Sequence, residues 1–316
     1  MRSSNIGGQA VLEGVMMKNG EDYAVAVRKP DGEIEVKTEK YSGAIKCKNL
    51  KKIPFVRGIF SFIDSMVFGM KTLTYSASFY EEEEEKKELT PEEKEKEEKK
   101  ESFVMGLTIT FSIILAVAVF MILPYLLTHF LAGMVHSKMM LSLLEGVIRL
   151  TIFIAYILLI STMKDIKRVF MYHGAEHKCI NCVEHGLDLT VENVRISSKQ
   201  HKRCGTSFLL FVMLISCIVI FFIQSDSQIV KIVMRIALIP VIAGISYEIL
   251  RLAGSSDNVF VNMISKPGLW LQNLTTKEPD DSMIEVAIQS VEAVFDWRKY
   301  QKETFGVESN DIRRSI

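Results

Sequence analysis

Ser207-Phe208-Leu209-Leu210-Phe211-Val212-Met213-Leu214-Ile215-Ser216-Cys217-Ile218-Val219-Ile220-Phe221-Phe222-Ile223-Gln224 is a run without a charged side chain. A helix rises 1.5 Å per residue, so a stretch of about 17–25 apolar residues crosses the hydrocarbon layer of a bilayer. Three more stretches reach that length, at about 103–130, 140–163 and 229–253. Pro124 and Pro240 fall inside two of them, which membrane helices tolerate. The expected fold is therefore a mainly α membrane protein with about four transmembrane helices. A small α+β cytoplasmic portion is assembled from the N-terminus, a central loop and the C-terminal tail.

Composition supports this segregation. Hydrophobic residues make up 48% of the 316-residue chain and charged residues 24%, so very apolar blocks alternate with very polar ones. The net charge is zero, which gives no reason to expect a nucleic-acid partner. The expected partners are the lipid bilayer and other membrane proteins. The N-terminus, Met1 to Gly8, lacks the apolar core of a signal peptide, so insertion is expected to rely on the internal helices. Five cysteines, three of them near histidines, read as reduced thiols or metal ligands rather than a disulfide frame.

Outside the apolar runs, residues 1–54 read as a cytoplasmic α+β unit. In it, Tyr23–Arg28 and Glu33–Thr38 form a hairpin about Pro30-Asp31-Gly32. Residues 55–79 read as an amphipathic helix carrying Phe55, Ile59, Phe62, Ile63, Met66, Met70 and Leu73, on the membrane surface or packed on the spanning bundle. Residues 80–101 are a charged linker or exposed helix, too rich in Glu and Lys to form a core. Residues 102–253 are the four-helix region, interrupted by loop 164–206, and 254–316 form a cytoplasmic tail with a helix. Ser282 to Glu285 has the capping-box pattern that opens this helix, and Trp270 is placed at the membrane interface.

Orientation follows from the cations. Loop 164–206 holds Lys164, Lys167, Arg168, Lys178, Arg195, Lys199, Lys202 and Arg203, whereas connector 131–138 holds only Lys138. Lys and Arg collect on the cytoplasmic side. The loop and both termini are thus expected in the cytoplasm, with the chain in the cell inner membrane.

Tyr172-His173-Gly174-Ala175-Glu176-His177-Lys178 carries the densest chemistry. On a helix His173 and His177 share a face and can grip one divalent metal, with Glu176 beside them to polarise a water. The order His-x-x-Glu-His inverts a zinc metalloprotease motif, but five residues match by chance often, and a polar helix end at the headgroups explains them equally. His201 and Cys204 shift the balance. Both are zinc-type ligands and lie at the other end of the same loop, which holds four of the six histidines. If all four bind, the site is structural. If one stays off, water takes the open place and hydrolysis follows. Glu13, Glu248 or Glu285 could serve as a distant carboxylate ligand. Cys179 and Cys182 read as incidental thiols.

Glu145, Arg149, Arg235 and Glu248 are charges inside apolar runs. Such groups pair or line a pathway, and a structural ion pair is the simpler reading. Paired broken helices of the transporter kind are missing from the sequence.

The strings at 7–17, Val56-Arg57-Gly58, Tyr172 to Lys178, Arg203 to Phe208 and Thr275-Thr276-Lys277-Glu278-Pro279 together resemble the YqhQ-like family of multi-pass bacterial membrane proteins, often labelled predicted metal-dependent enzymes. The resemblance runs from residue 5 to about 295. It implies metal dependence through His173, Glu176 and His177, then His201 and Cys204, with Gly8, Gln9 and Glu13 as the N-terminal motif. Lys202 departs from the family's proline, and Cys179 and Cys182 lie outside its pattern. The resulting expectation is a metal-dependent membrane enzyme, hydrolytic, holding zinc on His173 and His177 with His201 or Cys204. Glu176 would be general base and Glu13 a second carboxylate. The alternatives are a non-catalytic scaffold or assembly factor with a zinc-closed domain and, third, a transporter using Glu145, Arg149 and Arg235.

Overall fold

In the computed structural model, residues 3–43, 53–80, 91–135, 137–223, 227–255 and 258–306 are described. Residues 81–90 of the 80–101 linker and residue 136 of connector 131–138 lie outside them. The chain is mainly helical and divides into two compact units, with the boundaries at 156/157, 212/213 and 239/240 falling within helices.

The first unit comprises residues 1–80, 157–212 and 240–316. It contains four antiparallel strands in sequential order: β1 (Gly7–Val11), β2 (Gly14–Asn19), β3 (Asp22–Arg28) and β4 (Ile34–Lys40). The β3–β4 pair is the hairpin expected from sequence, with Arg28 opposite Ile34. The stretch 7–17, in contrast, makes two further strands rather than only glycine turns. Val11 pairs with Gly14 across a corner in which Glu13 takes a positive φ of 49°. Leu12-Glu13 lacks the Asn-Gly chemistry that announces such a corner.

Both faces of this sheet are buried, as side-chain alternation allows. Val15, Met17 and Ala26 join one core with Tyr172, Ala175, Ile180, Met283, Ile284 and Ala287. Val11, Met16, Tyr23, Val25 and Val27 join another with Phe68. The sheet is thus layered between α5 (Lys164–Glu184) with α11 (Asp281–Glu292) on one side and α1 (Val56–Ala77) on the other.

Helix α1 confirms the expected element but buries the opposite face. Gly58, Phe68, Gly69, Thr72 and Ser76 turn inward, while Phe62, Ile63, Met66 and Leu73 are exposed. Small residues permit the close approach: a Cβ on Gly69 would stand 2.6 Å from Oε1 of Gln9. The Leu12 amide donates to Ser76 Oγ. The start of α1 sits on α9 (Ile239–Ser255), where Arg57 Nε donates to Glu248 at 2.7 Å.

Loop 164–206 is largely helical, with α5 followed by α6 (Val191–Ile196). The tail forms α10 (Val259–Thr275), α11 and α12 (Trp297–Phe305). The N-cap of α11 is Asp280, which accepts the Met283 amide at 3.0 Å, and not Ser282; Glu285 pairs with Arg28 instead of reaching back.

The second unit comprises residues 81–156 and 213–239. It includes α2 (Pro91–Val117), a π turn at Ala118–Ile122, and α3 (Leu123–Phe130). Most of α4 (Lys138–Ile160), the second half of α7 (Gly205–Phe222) and α8 (Gln228–Ala237) complete it. Phe103–Gly133, Lys138–Ile160 and Gly205–Phe222 are each long and apolar enough to cross a membrane; Gln228–Ala237 with Ile239–Ser255 qualifies as a bent pair. The π turn has a local cause. Pro124 has no N–H for the carbonyl of Phe120 one turn back, and that carbonyl accepts Arg149 Nε at 3.0 Å.

The reassigned cap is testable. Asp280→Ala should destabilise the protein by about 1 kcal/mol, and Ser282→Ala by clearly less, measured as thermal unfolding of the purified protein.

Candidate metal centre

Helix α5 carries His173 and His177 on the face that meets two returning segments. His173 Nδ1 lies 3.0 Å from the Thr275 carbonyl, and His177 Nδ1 lies 2.6 Å from the Lys199 carbonyl. A carbonyl only accepts, so each Nδ1 carries a proton and Nε2 is the nitrogen available to a metal. Metal-ligating histidines are commonly oriented in this way. The rings stand 4.4 Å apart, centroid to centroid.

The third donor comes from Cys204, just before α7. Its Sγ lies 3.2 Å from His173 Nε2 and accepts the Thr206 amide at 3.4 Å. One donor atom from each of His173, His177 and Cys204 falls within 4.8 Å of the others. Tetrahedral zinc, with bonds of about 2.0–2.3 Å, sets its ligand atoms roughly 3.5 Å apart. The trio fits such an ion in donor type, lone-pair direction and, after a small contraction, spacing.

His201 is not part of this trio. Gln272 holds its backbone from both sides, accepting its amide and donating to its carbonyl, each at 2.8 Å. Its Nε2 faces Glu184 Oε2 at 3.5 Å. Burial favours the neutral imidazole, outweighing the Glu184 contact, and Arg203 adds to the lowering. Glu184 is itself buried, yet the bonds from His201 and Arg203 overcome that burial and hold its carboxyl down at about 2. Glu184 also accepts both the amide and hydroxyl of Ser4 at 2.7 Å.

The distant carboxylates are engaged elsewhere. Glu13 pairs with Arg168 and accepts the Tyr172 hydroxyl, Glu248 pairs with Arg57, and Glu285 pairs with Arg28. Cys179 and Cys182 are free thiols in the core, and burial raises the pKa of both. Glu145 joins Arg149 and Arg235.

Glu176 lies on α5 between the two histidines in sequence and is fully enclosed. Burial raises its carboxyl to about 7, opposed by His173 and by the Gly8 amide. Its Oε2 has no hydrogen-bond partner among the described residues. Gly8 makes room for it, because a Cβ there would stand 2.8 Å from Glu176 Cγ and 2.7 Å from the Met16 carbonyl. Glu176, His173, Cys204 and Gly8 line a cavity of about 900 Å³, walled further by Phe62, Phe68, Phe170, Phe208, Tyr247 and Leu250.

The Thr275–Pro279 motif has a structural cause. Lys277 donates its amide to the Phe170 carbonyl, and a Cβ on Gly174 would stand 2.0 Å from the Lys277 carbonyl. Only glycine lets this segment lie on α5 and present Thr275 to His173. Sequence reasoning did not find Gln272, Glu184 or Asn181, which donates to the Ser198 and Gln200 carbonyls. A signal was present: His173, His177, Asn181 and Glu184 form a polar stripe at helical spacing along a helix that also carries core residues.

A chain with this sheet, these helices and this site belongs to the family described as Protein of unknown function (DUF1385), whose pattern matches residues 53–297. It is also 38% identical over 286 residues to "Uncharacterized protein YqhQ" of Bacillus subtilis (strain 168), which covers 90% of each chain. No solved structure matches it.

Gly174→Ala should push the Thr275–Lys277 segment off α5 and free the His173 ring. The expected outcome is a 10- to 100-fold loss of zinc affinity, the usual scale for disturbing a ligand's supporting shell, read by competition with a chromogenic chelator.

Proposed function

We propose that the chain is a metal-dependent membrane enzyme, hydrolytic, acting at the cytoplasmic face of the cell membrane. The observation that carries this reading is a set of three converging protein donors, two of which, His173 and Cys204, line a largely apolar cavity together with the buried carboxylate of Glu176. Two imidazoles and a thiolate leave a fourth position open, the arrangement that distinguishes catalytic from structural zinc. Glu176 borders the same cavity with one oxygen unpartnered. With His201 turned to Glu184, the four-protein-ligand alternative loses support.

A bound divalent ion, zinc by donor type, would supply Lewis acidity and lower the pKa of water. The chain's own residues do the rest. The Thr275 and Lys199 carbonyls fix the two rings. Glu176 takes the proton from the attacking water as its oxygen bonds the electrophilic centre, and passes it to the leaving group as the scissile bond breaks. A carboxyl held at about 7 suits both transfers. Phe62, Phe68, Phe208 and Leu250 make an apolar wall, which fits the non-reacting part of a lipid-linked or membrane-peptide substrate.

The membrane setting rests on three further features. The candidate spans carry exposed Leu107, Phe111, Ile114, Leu143 and Leu159, and apolar surface of this extent calls for lipid or a partner. Helix α1 turns Phe62, Ile63 and Met66 outward, as a helix lying in the interface does. The cations of segment 164–206 favour the cytoplasmic side for that segment and, with four spans, for both termini.

Glu176→Gln should keep metal content at wild-type level but abolish the phenotypic complementation of a deletion strain, a loss of at least ~100-fold in activity. His173→Ala should lose metal and function together. A Glu176→Gln protein that complements fully would favour the scaffold reading.

A further inference from the structure

The second unit buries a charged cluster that the metal site does not use. Glu145 on α4 is 4% exposed, Arg149 one turn later is 1% exposed, and Arg235 on α8 is 6% exposed. Arg149 donates to Glu145 Oε1 at 2.8 Å, and Arg235 to Oε2 at 2.7 Å. One carboxylate is thus shared by two guanidiniums, and the cluster holds one surplus positive charge among the described residues.

The two arginines differ in how well they are satisfied. Arg149 also donates to the Phe120 carbonyl and to Ser216 Oγ. Arg235 stacks on the Tyr125 ring at 4.4 Å, and among the described residues its Nε and NH1 have no hydrogen-bond partner, nor does the buried Tyr125 hydroxyl. The surplus charge and the unfilled donors therefore coincide at Arg235. Uncompensated guanidinium N–H groups in an apolar setting are costly, and a missing counter-charge satisfies both deficits at once.

We propose that Arg235 and Tyr125 form a binding site for a small monovalent anion of the halide class, closed on its other side by the Glu145–Arg149 pair. Charge balance calls for one negative charge. Burial calls for a small ion: Arg235 is almost fully buried, and its unfilled Nε and NH1 are enclosed, which leaves no approach for a bulky phosphodiester.

The test uses full-length protein in an uncharged detergent, exchanged into sodium gluconate and titrated with chloride at constant ionic strength. The unfolding temperature should rise saturably with chloride, as linkage requires of a ligand that binds only the folded state. Equilibrium binding of radiolabelled chloride should approach one ion per chain. Glu145→Gln raises the cluster charge and should tighten binding by about tenfold or more, whereas Arg235→Gln should abolish it. If Arg235→Gln does not fold, the wild-type stoichiometry and the Glu145→Gln shift decide. No saturable chloride binding in the wild type, unchanged binding in a folded Arg235→Gln, or weaker binding in Glu145→Gln would overturn the proposal. So would stabilisation by phosphatidylglycerol vesicles with none by chloride, which would assign the donors to a lipid headgroup.

Discussion

Two backbone carbonyls, those of Thr275 and Lys199, fix the protonation and direction of the imidazoles on α5. A metal held on His173, His177 and Cys204 would depend on them. Without those bonds each ring could turn on its χ angles and place either nitrogen toward the cavity. With them, Nε2 is the nitrogen each ring has left for a ligand, and that of His173 lies 3.2 Å from Cys204 Sγ. The first unit can be understood as the apparatus that delivers these carbonyls. Gly174 lets the Thr275–Lys277 segment lie against α5, Gln272 holds the turn that carries His201, and the sheet and α11 pack the rest of α5 in place. His201, a ligand by type, serves this framework instead, through its contact with Glu184.

Much of this was legible in the sequence. Continuous apolar runs are a strong signal, and the four expected stretches coincide with the candidate spans to within a few residues. The i,i+4 relation of His173 and His177 on a helix was equally plain, and Cys204 meets them from the far end of the same segment. The β3–β4 hairpin was readable because Pro30-Asp31-Gly32 has the chemistry of a turn.

What was hidden depended on tertiary contacts. Strands β1 and β2 were not legible, because their corner at Leu12-Glu13 has no turn signature and is held by Arg168 and Tyr172 from α5. The apolar stripe of α1 was legible, but not that it would face outward; that outcome follows from Gly58, Gly69 and Ser76, whose small size lets α9 and the sheet approach. Glu13 has the right chemistry for a ligand and the wrong position, since its charge is spent on Arg168. Sequence names donor types; only the fold decides which of them converge.

The most direct test is X-ray absorption at the metal edge of the purified protein loaded with one equivalent of zinc. The account predicts one sulfur at about 2.3 Å, two imidazole nitrogens at about 2.0 Å and one further light atom from solvent, with the solvent ligand exchanging for added azide. A third imidazole in place of that exchangeable ligand, or no sulfur at all, would contradict it.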